Sequence, residues 1–206
     1  RVDGHDVTRL PHADRRALLE HLDLDRPCWH LSETFDDADI VVALTRAQGL
    51  EGVMSKRRSS PYVPGSRSAN WIKTPHRDEL VAVIGGWIPE VGDERRLGAL
   101  WIGHAADEAT FDTDPVLYSL GRVGSGLSHK DREALLVVLH GTVRDAPPFK
   151  PRPVGPDARR SHWVEPLLCV QVRYLNVSAG GSLRQPVMRR LRPDVDPASA
   201  ATAEPR

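Results

Sequence analysis

Cysteine is nearly absent: the 206 residues contain two, Cys28 and Cys169, far apart and in no Cys-x-x-Cys spacing. That argues against a disulfide framework or a cysteine zinc site, and a reduced, cytoplasmic setting is the simplest expectation. Long apolar runs are missing too. None approaches the roughly 18 residues a helix needs to cross a bilayer, so no membrane partner is expected. Residues 1–11 are polar and mixed, and no secretory leader is expected there. The chain opens on Arg1 rather than Met, in what reads as the middle of a domain. Lysine is scarce, four residues against 24 arginines, a shortage that matters below.

Hydrophobic residues make up 40% and charged residues 27%, ordinary values for a globular chain. The length suits one large domain or two small ones. The net charge of zero hides an asymmetry: residues 150–192 carry nine Lys or Arg against two acids, a local +7, leaving −7 elsewhere. A basic segment of this kind points to a polyanionic partner. The plainer alternative is a solvated arginine-rich surface.

Periodicity predicts an amphipathic helix over 12–24, with Leu18, Leu19 and Leu22 on one side and Pro11 just before it. A second helix is predicted over 36–47, with acids at its start, an Ile40, Val41 and Leu44 stripe, and Gly49 as a stop. Strand-like segments follow at 50–57, 70–75, 79–88, 97–105 and 116–123. A helix fits 129–143, the proline-rich 145–160 reads as a surface connection, and 167–177 with 182–191 reads as a hairpin through Gly180-Gly181. From 79 to 191 this makes five strands with one helix between the third and fourth, the order of an OB-fold. The expected class is therefore α+β. The tail, 197–206, is expected to be disordered.

The chemistry concentrates in Glu51-Gly52-Val53-Met54-Ser55-Lys56-Arg57, Ser60-Pro61-Tyr62, Pro64-Gly65, Arg67-Ser68 and Trp71-Ile72-Lys73. An acid and two lysines arrive on neighbouring strands around a basic loop. Lys56 and Lys73 can bind phosphate oxygens by charge-assisted bonds, and Glu51 can hold a divalent cation or a ribose. Taken singly, each is more simply a surface residue, and Trp71 a core residue. The order and spacing together carry the signal.

These segments resemble the covalent nucleotidyltransferase superfamily, Glu-Gly-Val-Met being similar to its fourth motif and Trp-x-Lys to its fifth. The closer resemblance is to ATP-dependent DNA ligases of the bacterial end-joining type, ligase D and its actinobacterial relatives, whose Ser-Pro-Tyr-x-Pro-Gly-x-Arg-Ser-x-x-Trp-x-Lys residues 60–73 reproduce. Val83-Ile84-Gly85-Gly86-Trp87, Gly121-Arg122-Val123-Gly124-Ser125-Gly126-Leu127 and Leu191-Arg192-Pro193-Asp194 resemble later segments of the same family. The family's fold would be an adenylation domain, its C-terminal part lying at 1–75 here, followed by a five-stranded OB-fold barrel at 76–196. Its cofactors would be ATP and Mg2+ or Mn2+. Its partners would be nicked or broken duplex DNA and end-joining repair proteins, in a cytoplasmic, nucleoid-associated setting.

The resemblance also implies roles. Glu51 would bind the catalytic metal, and Lys73 would contact the α-phosphate and stabilise developing charge. Lys56 and Arg67 would line the AMP and DNA-phosphate side of the cleft. Arg192 and Asp194 would orient the ATP β- and γ-phosphates. Arg184, Arg189 and Arg190 are expected to contact the DNA backbone.

The departures are specific. The family's nucleophile lies in Lys-x-Asp-Gly, and none of Lys56, Lys73, Lys130 or Lys150 is followed by x-Asp-Gly. Arg1-Val2-Asp3-Gly4 is no substitute, because an arginine stays protonated and is a poor nucleophile. The chain is therefore expected to be a C-terminal fragment lacking the nucleophile motif. Pro75 stands where the fifth motif often has a second lysine, and Val195 where the last motif has one. Two readings compete: a DNA ligase that works through lysyl-AMP and DNA-adenylate, present here in part, or a non-catalytic remnant that grips DNA. A third, an mRNA capping enzyme, is disfavoured by residues 60–73 and 121–127.

Overall fold

The computed structural model describes residues 1–24 and 26–200. The chain divides after His76 into two units, each with its own architecture.

The first unit holds α1 (His12–His21), α2 (Ala38–Ala47), β1 (Gly52–Lys56) and β2 (Trp71–Pro75). Helix α1 is shorter than the predicted 12–24; its backbone leaves the helix through Leu22. Asp37 caps α2 instead of starting it, its side chain accepting from the Asp39 and Ile40 amides, the usual use of a short acid at this position. Strands β1 and β2 pair antiparallel, with Met54 opposite Lys73 and Lys56 opposite Trp71.

The second unit is built on two 13-residue strands, β3 (Asp78–Glu90) and β4 (Asp93–Ala105), joined by a tight turn. Then come β5 (Leu117–Val123), α3 (His129–His140), β6 (Val143–Arg144), α4 (Pro156–Arg159), β7 (His162–Val164), β8 (Cys169–Tyr174) and β9 (Val187–Leu191). All pairings in this sheet are antiparallel. The outer edge of β3 serves two partners: β8 pairs with 78–83 and β7 with Gly86 and Trp87.

The expected five strands are thus seven among the described residues. The extra two, β6 and β7, are only two and three residues long and flank the proline-rich stretch. The expected barrel is not closed, for no ladder joins β5 to β9 among the described residues. What stands is a large antiparallel sheet with helices, a mixed α/β unit. Residues 197–200, expected in the tail, form a turn with Ala198 and Ala200 buried, and 201–206 lie outside the described residues.

Apolar residues cover both faces of β3 and β4. Leu80, Ala82, Ile84, Trp87, Leu100 and Ile102 join one core with Leu135 and Leu139 of α3, while Val83, Ile88, Trp101 and Phe149 join a second. The parity switch between Ile84 and Trp87 comes from a register shift at Gly85-Gly86. Glycine is required there, since a Cβ on Gly85 would sit 2.5 Å from the Phe149 ring.

Candidate active site

The first unit carries the densest chemistry, and Gly52 explains how. A Cβ at Gly52 would lie 2.4 Å from the Thr74 carbonyl oxygen, so only glycine lets β1 and β2 approach there. Glu51, just before it, is drawn to the strand pair, and its carbonyl accepts from the His76 amide at 2.9 Å. Its carboxylate meets Lys73 of β2 in a 2.5 Å ion pair. Both side chains are about half exposed, 55% and 53%. Such an exposed ion pair is worth little to stability.

At the other end of the strand pair, Lys56 Nζ lies 4.7 Å from the Trp71 ring centroid, within cation–π range. Tyr62 packs at 5.5 Å against the same ring and His12 at 6.3 Å edge-on. Trp71 is half-buried, not core, and works as a platform for a cation and two rings. Burial holds His12 below the usual histidine range, and the charges of Lys56, Arg15, Arg16 and Arg58 add to the effect. Tyr62 belongs to the 60–73 motif, whereas His12 carries no sequence signal of its own and is brought to Trp71 by α1.

The loop between the strands is pinned to α1. Ser60, a buried polar residue, donates to the Arg57 carbonyl at 2.7 Å, and Arg15 donates to the Ser60 carbonyl at 3.1 Å. Arg67 stands exposed on this loop, without a hydrogen bond or ion pair among the described residues.

The remaining predicted residues belong to the second unit. Arg192 closes its guanidinium on Asp194 in a forked contact, Nε to Oδ1 at 2.8 Å and Nη2 to Oδ2 at 2.8 Å. That bond pulls the Asp194 carboxyl down to about 2 and raises Arg192. Val195 packs against the second core. A lysine there would give up an apolar contact. Arg184 is exposed, its backbone paired with Leu175 and Asn176. Arg189 and Arg190 are exposed on β9. The structure therefore brings together Glu51 with Lys73, and Arg192 with Asp194.

No group of three His, Cys, Asp or Glu able to hold a metal occurs among the described residues. Glu51 is a single carboxylate, a donor set that fits Mg2+ held largely by substrate phosphates rather than by a protein cage. No helix among the described residues is long and apolar enough to cross a membrane.

Comparison with known proteins follows the same division. The family described as ATP dependent DNA ligase domain matches residues 1–74, and that described as ATP dependent DNA ligase C terminal region matches 93–195. The multifunctional non-homologous end joining protein LigD of Mycolicibacterium smegmatis is 34% identical over 197 residues, 95% of this chain and 25% of that protein. The crystal structure of the ligase domain from M. tuberculosis LigD is 35% identical, with a TM-score of 0.56, over 97% of this chain and 63% of that one. A mycobacterial DNA ligase D complexed with ATP and MES is also 35% identical, with a TM-score of 0.52, over 97% and 62%. The chain spans about a quarter of the length of the curated end-joining relatives it matches. On two family matches in sequence order, and on relatives that run the length of both units, the chain belongs to the ATP-dependent DNA ligase family.

Proposed function

We propose that this chain supplies the phosphate-handling and DNA-gripping part of an ATP-dependent DNA ligase that seals DNA breaks through lysyl-AMP and DNA-adenylate intermediates. The observation that carries this reading is the Glu51–Lys73 pair, set beside a glycine that only a close strand crossing requires. Lys73 would meet the α-phosphate, and its charge would be worth most as negative charge develops on leaving pyrophosphate or AMP. Glu51 would hold a divalent cation, Mg2+ or Mn2+, which when bound neutralises phosphate charge. Lys56 and Arg67 would line the AMP and DNA-phosphate side. Arg192 and Asp194 would orient the β- and γ-phosphates, which requires the Arg192 fork to open from Asp194.

Residues 1–75 would be the C-terminal part of the adenylation domain and 76–196 an OB-fold. Two backbone bonds support a barrel: the Leu183 amide donates to the Leu120 carbonyl at 2.9 Å, and the Met188 amide to the Ser125 carbonyl at 2.9 Å. They link β5 and its C-terminal end to β9 and the segment before it, the seam a barrel would close. Arg184, Arg189 and Arg190 would contact duplex DNA at a nick or break. The setting would be cytoplasmic and nucleoid-associated, with end-joining repair proteins as partners.

One observation favours the second reading, a DNA-binding remnant: no lysine of these 206 residues lies in Lys-x-Asp-Gly. Labelled ATP with Mg2+ should give no covalent adduct on this chain. Fusing the part of the mycobacterial ligase domain that precedes the matched region should restore one. Within that fusion Lys73→Ala should slow adduct formation by roughly 10²- to 10³-fold. An adduct on the chain alone would overturn the assignment of the nucleophile, and a fusion that binds DNA but never forms an adduct would favour the remnant.

A further inference from the structure

Consecutive residues of a strand point to opposite faces, yet Arg189 and Arg190 of β9 are both exposed. The cause is a register shift. Arg190 lies opposite Gln171 and Met188 opposite Val172, which leaves Arg189 as an extra residue in β9. A bulge of this kind re-aims side chains. Met188 stays in the core with Val170, Val172 and Tyr174 of β8. Without the extra residue the Arg190 position would turn toward that core.

The outward face is organised around two neutral or acidic side chains. Gln171 Oε1 accepts from Arg190 Nε at 2.8 Å, and Gln171 Nε2 donates to Glu79 Oε2 at 2.6 Å. The other oxygen of Glu79, Oε1, stands 3.8 Å from Arg189 Nε. Glu79 belongs to β3 and lies opposite Arg173, whose Nε is buried without a hydrogen-bond partner among the described residues. Arg189 thus stands beside the Glu79 carboxylate and Arg190 is tied to it through Gln171, and the local charge stays positive.

We infer that Gln171 and Glu79 are positioning residues that lock Arg189 and Arg190 into a two-arginine clamp for the phosphates of duplex DNA. This rests on the reading of the second unit as DNA-binding. Arg190 is hydrogen-bonded through Nε and Arg189 faces Glu79 through Nε at ion-pair distance, contacts that leave the terminal nitrogens for an incoming phosphate. Ordering long side chains before binding removes an entropic cost that would otherwise fall on the complex. The bulge supplies what regular pairing forbids, two successive cations on one face.

The test is titration of a labelled nicked duplex by anisotropy, with the full chain. Gln171→Met cuts both hydrogen bonds without changing charge. Expected is a loss of affinity of roughly three- to tenfold in the native background, and none in the Arg189→Ala/Arg190→Ala background. Gln171→Asn, too short to bridge both partners, should fall in the same direction. Thermal melting of each variant separates a folding defect from a positioning one, because an unfolded variant would lose binding in both backgrounds. If the double arginine variant binds as tightly as native protein, the DNA reading of this face fails. If that variant loses binding but Gln171→Met does not, or loses equally in both backgrounds, the clamp is refuted and the DNA reading stands.

Discussion

The two units obey the same patterning rules and end in opposite states. In the second, Leu100 is 1% exposed and Trp87 2%. In the first, Ile40 is 59% exposed and Ile72 56%, and neither helix has a buried residue. Both have apolar residues at the right spacing, so patterning is not what separates them. The second unit has layers on both faces of its sheet, whereas the first has two strands and two short helices. A two-stranded ladder is marginal alone, and a patterned face is stabilised only when another layer covers it. The first unit is therefore held by caps, backbone bonds to its loop and ring contacts around Trp71, while the second is held by burial.

The most forceful way to break that comparison is a pair of truncations. Leu100→Ala should destabilise the second unit by about 2–5 kcal/mol, the usual range for a buried leucine. Leu19→Ala on α1 should stay within roughly 0.5–1 kcal/mol, as for an exposed site. Urea unfolding followed by a probe in each unit measures both. Equal costs would mean that the α1 leucines are covered in solution.

A smaller effect sharpens the contrast. If polar local bonds hold the first unit, Asp37→Ala should cost about 1 kcal/mol through the lost α2 cap, more than Ile40→Ala on the same helix. Amide exchange of α2 reads the two variants side by side. The reverse order would restore hydrophobic burial as the organising force there.

Much of this was legible in the sequence. Helix α2, the strands around the Glu51 and Trp71 motifs and the long β3 and β4 each have a period or a motif of their own. Strands β6 and β7 were not legible, because two or three residues carry no period and the proline-rich stretch between them reads as loop. The parity switch at Gly85-Gly86 was equally hidden, since it depends on Phe149 arriving from over sixty residues away. At the site, Glu51 and Lys73 could be nominated from spacing, but the role of Gly52 is visible only where β2 crosses it. Trp71 read as core because sequence cannot show that its neighbours are a lysine, a histidine and a tyrosine. The closure of Arg192 on Asp194 lay equally beyond it, although the two residues were nominated together.

The subtlest difference between the units is electrostatic and concerns His12. Its folded value lies below the ordinary 6.5, first because it is partly buried and then because cations surround it. Well above pH 6.5 the ring is neutral whether the unit is folded or not, so it has no effect on stability there. As the pH falls below 6.5, the unfolded state takes up the proton first, and the first unit loses stability until the folded ring is also protonated. Trp71→Ala removes a ring packed edge-on against His12, so if that ring supplies the burial, the midpoint, followed by the imidazole proton signals, should move back up toward 6.5. If the midpoint stays low in that variant, the surrounding charges of Lys56, Arg15, Arg16 and Arg58 set it instead. The aromatic platform would then matter less to the first unit than its geometry suggests.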